Sequence, residues 1–142
     1  LKIYLIGSLR NPAVPTFGND LRNLGHEVFD DWHGAGPHAD DHWQDYETIR
    51  GRSYPEALQG FAALNTYRFD LRHINDSDMA VLMLPAGKSG HLEFGYMMGQ
   101  GKPGLIYFSE GIPDRWDLMY LFATNVCFTL EDLLREVQSI AS

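Results

Sequence analysis

The sequence carries a single cysteine, Cys127, among 142 residues. One thiol excludes an internal disulfide and a multi-cysteine metal site. Basic residues are also scarce: eleven Lys and Arg face nineteen Asp and Glu, a formal charge of −8. That balance disfavours broad binding to nucleic acid or an anionic membrane, while leaving room for a local phosphate pocket. No stretch approaches the ~18 uninterrupted apolar residues read as a membrane span. The opening segment runs into Asn11-Pro12 too soon to be a signal peptide. A reduced, cytoplasmic, soluble protein is the expectation, with a short start expected to be missing before Leu1. The phosphate-binding loop with its lysine, the dinucleotide GxGxxG arrangement and the HExxH zinc pattern are all absent.

What is present suits one domain spanning residues 1–142, with 44% hydrophobic residues. Ile3 to Ile6 read as a buried strand ending in Gly7-Ser8-Leu9-Arg10-Asn11-Pro12. Phe17, Leu21 and Leu24 recur at helical spacing before Gly25, and His26 to Phe29 give a second strand. Asp30 to Tyr54 resists periodicity and reads as an active-site or interface excursion with short helical pieces, or else a solvated loop. From Pro55 the spacing predicts one helix through Leu58, Phe61, Phe69 and Ile74. Asp78 to Leu84 form the next strand, Leu92 to Gln100 a helix, and Gly104 to Phe108 another strand. Trp116 to Phe122 then predict a short helix, Asn125 to Phe128 a last strand, and Leu130 to Ile140 a terminal helix. Five strands alternating with helices imply an α/β protein with a parallel sheet covered on both faces. Loops beyond the strand ends, near Gly7, Asp30, Pro85 and Ser109, then converge on a ligand site.

The sharpest local signal is Ser89-Gly90-His91-Leu92-Glu93-Phe94-Gly95. With Ser89 or Gly90 as the N-cap, Glu93 falls in the first helical turn, where free N–H groups and the helix dipole favour a carboxylate. Such a group serves as a nucleophile at a sugar carbon, or only as helix-end electrostatics. Gly95 and Gly99, four apart, share one face and suggest close packing of that helix. Asp70 could bind a sugar hydroxyl or handle a proton, or pair with Arg68 or Arg72. Gly7, Ser8 and Arg10 offer donors for a small oxyanion, and Lys88 with Ser89 add a second set; both also fit ordinary turn chemistry. His33, His38 and His42 among Asp30, Asp31, Asp40, Asp41 and Asp45 raise the question of a metal, but the spacing is loose. Trp32, Trp43 and Tyr46 suit stacking on a nucleobase or ordinary packing.

Taken together, Lys2 to Arg10, Tyr67 to Pro85 and Ser89 to Pro103 resemble the nucleoside 2-deoxyribosyltransferase family and the related deoxynucleotide N-glycosidases. The resemblance implies a flavodoxin-like three-layer domain assembled as a homodimer or homotetramer with composite sites. It implies Glu93 as nucleophile, Asp70 as the sugar-binding or proton-handling acid, and Tyr4 as the hydroxyl orienting Glu93. It extends to Asn125 as a residue contributed across a subunit boundary. The substrate-binding set expected around these is Gly7, Ser8, Arg10, Asp31, Trp32, Ser89, Gly90 and Asn125. The leading expectation is transfer of 2-deoxyribose between bases through a glutamyl-deoxyribose ester. Hydrolysis of a 2′-deoxynucleoside 5′-monophosphate is the alternative, favoured by Gly7-Ser8-Leu9-Arg10, and a noncatalytic nucleotide-binding scaffold is a third. The substrates implied are a 2′-deoxynucleoside or deoxynucleotide and a free nucleobase, with no cofactor and no metal.

Overall fold

The computed structural model describes residues 1–142. Its elements run β1 Lys2–Ile6, α1 Val14–Asn23, β2 Glu27–Phe29, a 3₁₀ turn Asp31–Ala35, α2 Ala39–Ile49, α3 Tyr54–Ala57 and α4 Phe61–Asp76. They continue with β3 Met79–Leu84, α5 Lys88–Gly99, β4 Gly104–Phe108, a 3₁₀ turn Leu118–Phe122, β5 Asn125–Cys127 and α6 Leu130–Ala141. The five strands form one parallel sheet in the order β2-β1-β3-β4-β5. This is an α/β, flavodoxin-like three-layer arrangement. The chain order reverses between β1 and β3, so the loops leaving these two neighbours open on the same sheet edge.

Alternation along the strands builds the two outer layers. Ile3 and Leu5 of β1, with Met79, Val81 and Met83 of β3, face Val14, Phe17 and Leu21 of α1 and Leu133 and Val137 of α6. Tyr4 and Ile6, with Ala80, Leu82 and Leu84, face Ile74 of α4 and Phe94 and Met97 of α5. Burial on both faces is why Met79–Leu84 shows no polar alternation: all six residues are buried. Helix α6 starts cleanly because the Thr129 side chain accepts from the Asp132 N–H.

Two helix boundaries and one packing role depart from the sequence expectation. The helix predicted from Pro55 is two helices, since Ser53 and Glu56 form a capping box that starts α3, and the chain is re-extended at Gly60 before α4. Helix α5 begins at Lys88 with Gly87 as its N-cap, four residues before Leu92. Within the chain Gly95 and Gly99 do not mediate close packing, for a Cβ on either meets nothing within 4 Å. Within α5 the tight glycine is Gly90, where a Cβ would lie 2.9 Å from Ile6 Cγ2 and 3.4 Å from the Ala86 Cβ. Gly90 thus lets the first turn of α5 sit directly on the sheet.

These contacts separate the glycines experimentally. Gly90→Ala is expected to destabilise by about 1–3 kcal/mol through overpacking against Ile6. Gly95→Ala is expected to stabilise by about 0.5–1 kcal/mol, because the exposed helical site gains propensity at no steric cost. Urea unfolding midpoints of the two variants check the opposite signs.

Candidate active site

Tyr4 sits in the middle of β1, paired in register with Ala80. Its ring is buried on the α4–α5 side, and its hydroxyl donates to Glu93 Oε2 at 2.5 Å. Glu93 belongs to the second turn of α5, not the first, so the free N–H groups at the helix start do not reach its carboxylate directly. Its charge is therefore governed by burial and Tyr4. Burial pushes its pKa from 4.5 up to about 7; the Tyr4 hydrogen bond works against that rise and the Asp70 charge adds to it. Burial, then the Glu93 carboxylate, drives the Tyr4 hydroxyl far above its usual range, so Tyr4 remains the donor. The other carboxylate oxygen, Oε1, has no hydrogen bond and is not among the enclosed polar atoms. An oriented carboxylate with one oxygen held and one open is suited to attack an electrophilic carbon.

Asp70 lies on α4, half-buried, without an ion pair. The expected alternative of pairing with a neighbouring arginine does not occur, and Arg72 instead lies over the Phe69 ring at 5.6 Å. Burial raises the Asp70 pKa, partly offset by His73 one turn along. The two helices that carry these acids are tied at their far ends. Asn75 accepts from Gln100 Nε2 at 2.8 Å and from the Tyr96 hydroxyl at 3.4 Å, while Lys102 Nζ donates to the Ile74 carbonyl at 2.8 Å. Lys102 closes α4 by satisfying carbonyls that the helix leaves free. Asn75, Tyr96 and Lys102 were not singled out in the sequence. A lysine just after Gly101, with α4 ending near Asp76, is the only signal that pointed to them.

The remaining candidates divide by position. Gly7, Ser8 and Arg10 follow β1, and Lys88, Ser89 and Gly90 open α5 just after β3, on the shared sheet edge. Ser8 Oγ accepts from the Arg10 N–H at 3.1 Å, while the Arg10 side chain is exposed and makes no hydrogen bond or ion pair. Gly87 supplies no side-chain cap to α5, whose first N–H groups stay available to an anion. Trp32 is committed to the fold: its indole N–H donates to the Leu5 carbonyl at 2.8 Å, and its ring packs against both core layers. Asp31 is exposed beside it. Asn125 starts β5, three strands from β1, about 14 Å at ordinary strand spacing. It does not share a site with Tyr4 of the same chain. His33 turns back to the Asn11 carbonyl at 2.9 Å, and His38 lies 3.8 Å from Asp41. Trp43 and Tyr54 meet edge to face in a recess of about 450 Å³ between α2 and α3, which none of Tyr4, Asp70 or Glu93 lines. Tyr46 is exposed, under Arg50.

No family profile and no curated protein matches the sequence. Solved structures share its fold, two of which illustrate the likeness. A conserved protein from Enterococcus faecalis V583 superposes with a TM-score of 0.67 at 15% identity, covering 97% of each chain. The Clostridium botulinum CMP N-glycosidase BcmB superposes with a TM-score of 0.53 at 12% identity, covering 97% of this chain and 99% of its own. At these identities the likeness establishes the architecture. No helix is long and apolar enough to cross a membrane.

Two outcomes test the electrostatics. The folded protein keeps the Glu93 proton to about pH 7, whereas an unfolded glutamate releases it near 4.5. Ionised Glu93 therefore costs stability, a cost that grows as pH rises through that window and is complete above it. Glu93→Gln is expected to raise stability at pH 8, by about 3 kcal/mol at most, and to leave it nearly unchanged at pH 4.5; thermal melts at both pH values read the difference. Tyr4→Phe removes a donor to the ionised form, so the Glu93 titration midpoint is expected to move upward from about 7. An unchanged midpoint would mean that Tyr4 does not hold the charged carboxylate.

Proposed function

We propose that this protein is a nucleoside or nucleotide N-glycosidase that hydrolyses a nucleoside 5′-monophosphate. The observation that carries the reading is the Tyr4-held, half-buried Glu93 with one open oxygen, beside the unpaired Asp70. Glu93 attacks C1′ as the C1′–N bond breaks, and the base leaves with the bonding electrons. A proton from Asp70 or from water neutralises it. Water then adds at C1′ while Asp70, as carboxylate, or bulk water takes its proton, the ester C–O bond breaks, and Glu93 is regenerated as a carboxylate. Two displacements at one carbon retain the anomeric configuration.

Hydrolysis of a phosphorylated substrate is preferred over transfer for two reasons. The fold likeness includes a CMP N-glycosidase. The unpaired Arg10 and the uncapped start of α5 also leave donors for a 5′-phosphate on the edge shared by β1 and β3. Transfer uses the same ester and differs only in having a base, not water, as acceptor. The reading includes a second copy of the chain. Leu92, next to Glu93, is 75% exposed, and Trp116, Leu121 and Phe122 are exposed as well. Covering this apolar surface with another protomer would complete the site wall and give Asn125 a site to serve.

The product assay uses CMP, dCMP, their nucleosides and the other monophosphates, with and without a second free base. Base release without exchange is the expected result. Exchange would establish transfer, and ligand binding without either product would establish a scaffold. Glu93→Ala is expected to lower kcat by at least about 10³-fold with the fold intact, as loss of a nucleophile does; near-parental turnover would remove Glu93 from that role. Arg10→Ala is expected to raise KM for monophosphates and spare nucleosides, whereas an equal effect on both would dismiss the phosphate contact.

A further inference from the structure

The segment from α2 to the start of α4 holds a second set of polar groups that the candidate active site does not use. Trp43 and Glu47 stand one turn apart on α2 and so share one face. Both line the recess of about 450 Å³, together with Gln44, Thr48, Arg52 and Tyr54. That volume lies within the ~300–1,000 Å³ range of small-molecule sites. The Glu47 side chain is 4% exposed, and its Oε1 accepts from Arg50 Nη1 at 3.1 Å. Its Oε2 has no hydrogen bond, the Arg52 Nε standing off at 3.7 Å. The Trp43 indole N–H is likewise enclosed without an acceptor. Orphaning one buried polar atom is costly, and here two of opposite sense, a donor and an acceptor, belong to the walls of one recess.

The surroundings define what would satisfy both atoms. An indole N–H only donates and a carboxylate only accepts, so the partner must present an acceptor and a donor close together. It carries no net charge, because an anion would face Glu47 and a cation would face Arg50 and Arg52. It is flat, since the Trp43 and Tyr54 rings meet at 74° with centroids 6.4 Å apart. In such a corner a planar ring lies on one face with its edge toward the other. Gln44, Thr48 and Tyr54 are exposed and their side chains make no hydrogen bond, so they are free to turn and admit a ligand to the two enclosed atoms. A single water would meet the polar atoms but leave most of the volume and both rings unused.

We propose that this recess is a second binding site, for a neutral planar heterocycle that carries an acceptor beside an N–H donor on one edge, the chemistry of a nucleobase. The Trp43 N–H donates to the ring acceptor, Glu47 Oε2 accepts from the adjacent N–H, and Trp43 or Tyr54 supplies the stacking face. The site is distinct from the carboxylate pair. Arg52 lies against Gly60, where a Cβ would meet Nη2 at 2.8 Å, and Gly60 is the N-cap of α4. Asp70 is further along that helix, about 15 Å away at the ordinary rise per residue. Binding in the recess makes and breaks no covalent bond and does not rest on the reaction assigned to Glu93. It gives the excursion between β2 and α4 a use that the active site does not.

The test is ¹⁵N–¹H NMR of the indole N–H groups of the full chain, with the Trp43 signal assigned from Trp43→Phe. Uracil, cytosine and adenine each carry an acceptor beside an N–H on one edge. At least one is expected to shift the Trp43 signal downfield, saturably and at millimolar concentration or below, while those of Trp32 and Trp116 stay in place. The fully N-methylated counterpart of that base (1,3-dimethyluracil for uracil) keeps the ring and loses the N–H donors. It is expected to bind at least about tenfold more weakly, because Glu47 Oε2 then stays unpaired. Thr48→Phe, which fills the recess from an exposed position and keeps both polar atoms, is expected to abolish the shift; Gln44→Phe is expected to do the same and serves if the first variant folds poorly. Glu93→Ala is expected to bind the base at Trp43 as the parent does, whatever its turnover. No saturable shift of the Trp43 signal with any of the three bases, equal binding of a base and its methylated counterpart, or a shift undiminished in the filled variants would overturn the proposal.

Discussion

A buried hydroxyl on the second strand-face of β1 and a carboxylate on α5 share one hydrogen bond, and the site is organised around it. Tyr4 Oη and Glu93 Oε2 are 2.5 Å apart. For that distance to hold, α5 must lie close on the sheet, which Gly90 permits by meeting Ile6 without a side chain. Helix α4 must also be held beside α5, which Asn75, Gln100 and Lys102 achieve at the far end. The bond does two opposed things. It fixes the carboxylate in a place where burial resists ionisation, and it supplies the one donor that favours the ionised form. A group balanced in this way near neutrality is useful to a reaction that must first use the charge and later recover it.

Beside this bond lie an orphan nitrogen and an acid without an ion pair. Burying Asp70 without a cation, and His73 Nδ1 without a partner, weakens the fold. The sheet carries the stability instead, with all of β3 and most of β1 buried on both faces. The exposed apolar side chains of Leu92, Leu118, Met119, Leu121 and Phe122 are a further sacrifice within one chain.

Much of the architecture was legible in the chain, because apolar runs of four to six residues alternate with helical spacings and leave few alternatives to a parallel sheet. The helix starts were less so. Gly87 is an N-cap without a side-chain oxygen, so nothing in Lys88-Ser89-Gly90 announces a helix, and Glu93 was displaced by a turn in the expectation. The start of α3 was written in Ser53 and Glu56, whose spacing is that of a capping box. The pairing of Tyr4 with Glu93 followed from the resemblance alone, since 89 residues separate them. His73 gave no signal, because a lone histidine on a helix is ordinary until the register of β2 places Phe29 against it.

The proposed reaction passes through a sugar ester on Glu93. Mass spectrometry of peptides from protein quenched in acid during turnover of a nucleoside monophosphate, or of a slow 2′-fluoro analogue, reads it directly. A pentose-phosphate mass on the peptide containing Glu93, and product released with retained configuration at C1′, are the expected results. Inverted product with no adduct, or an adduct on another residue, would contradict it.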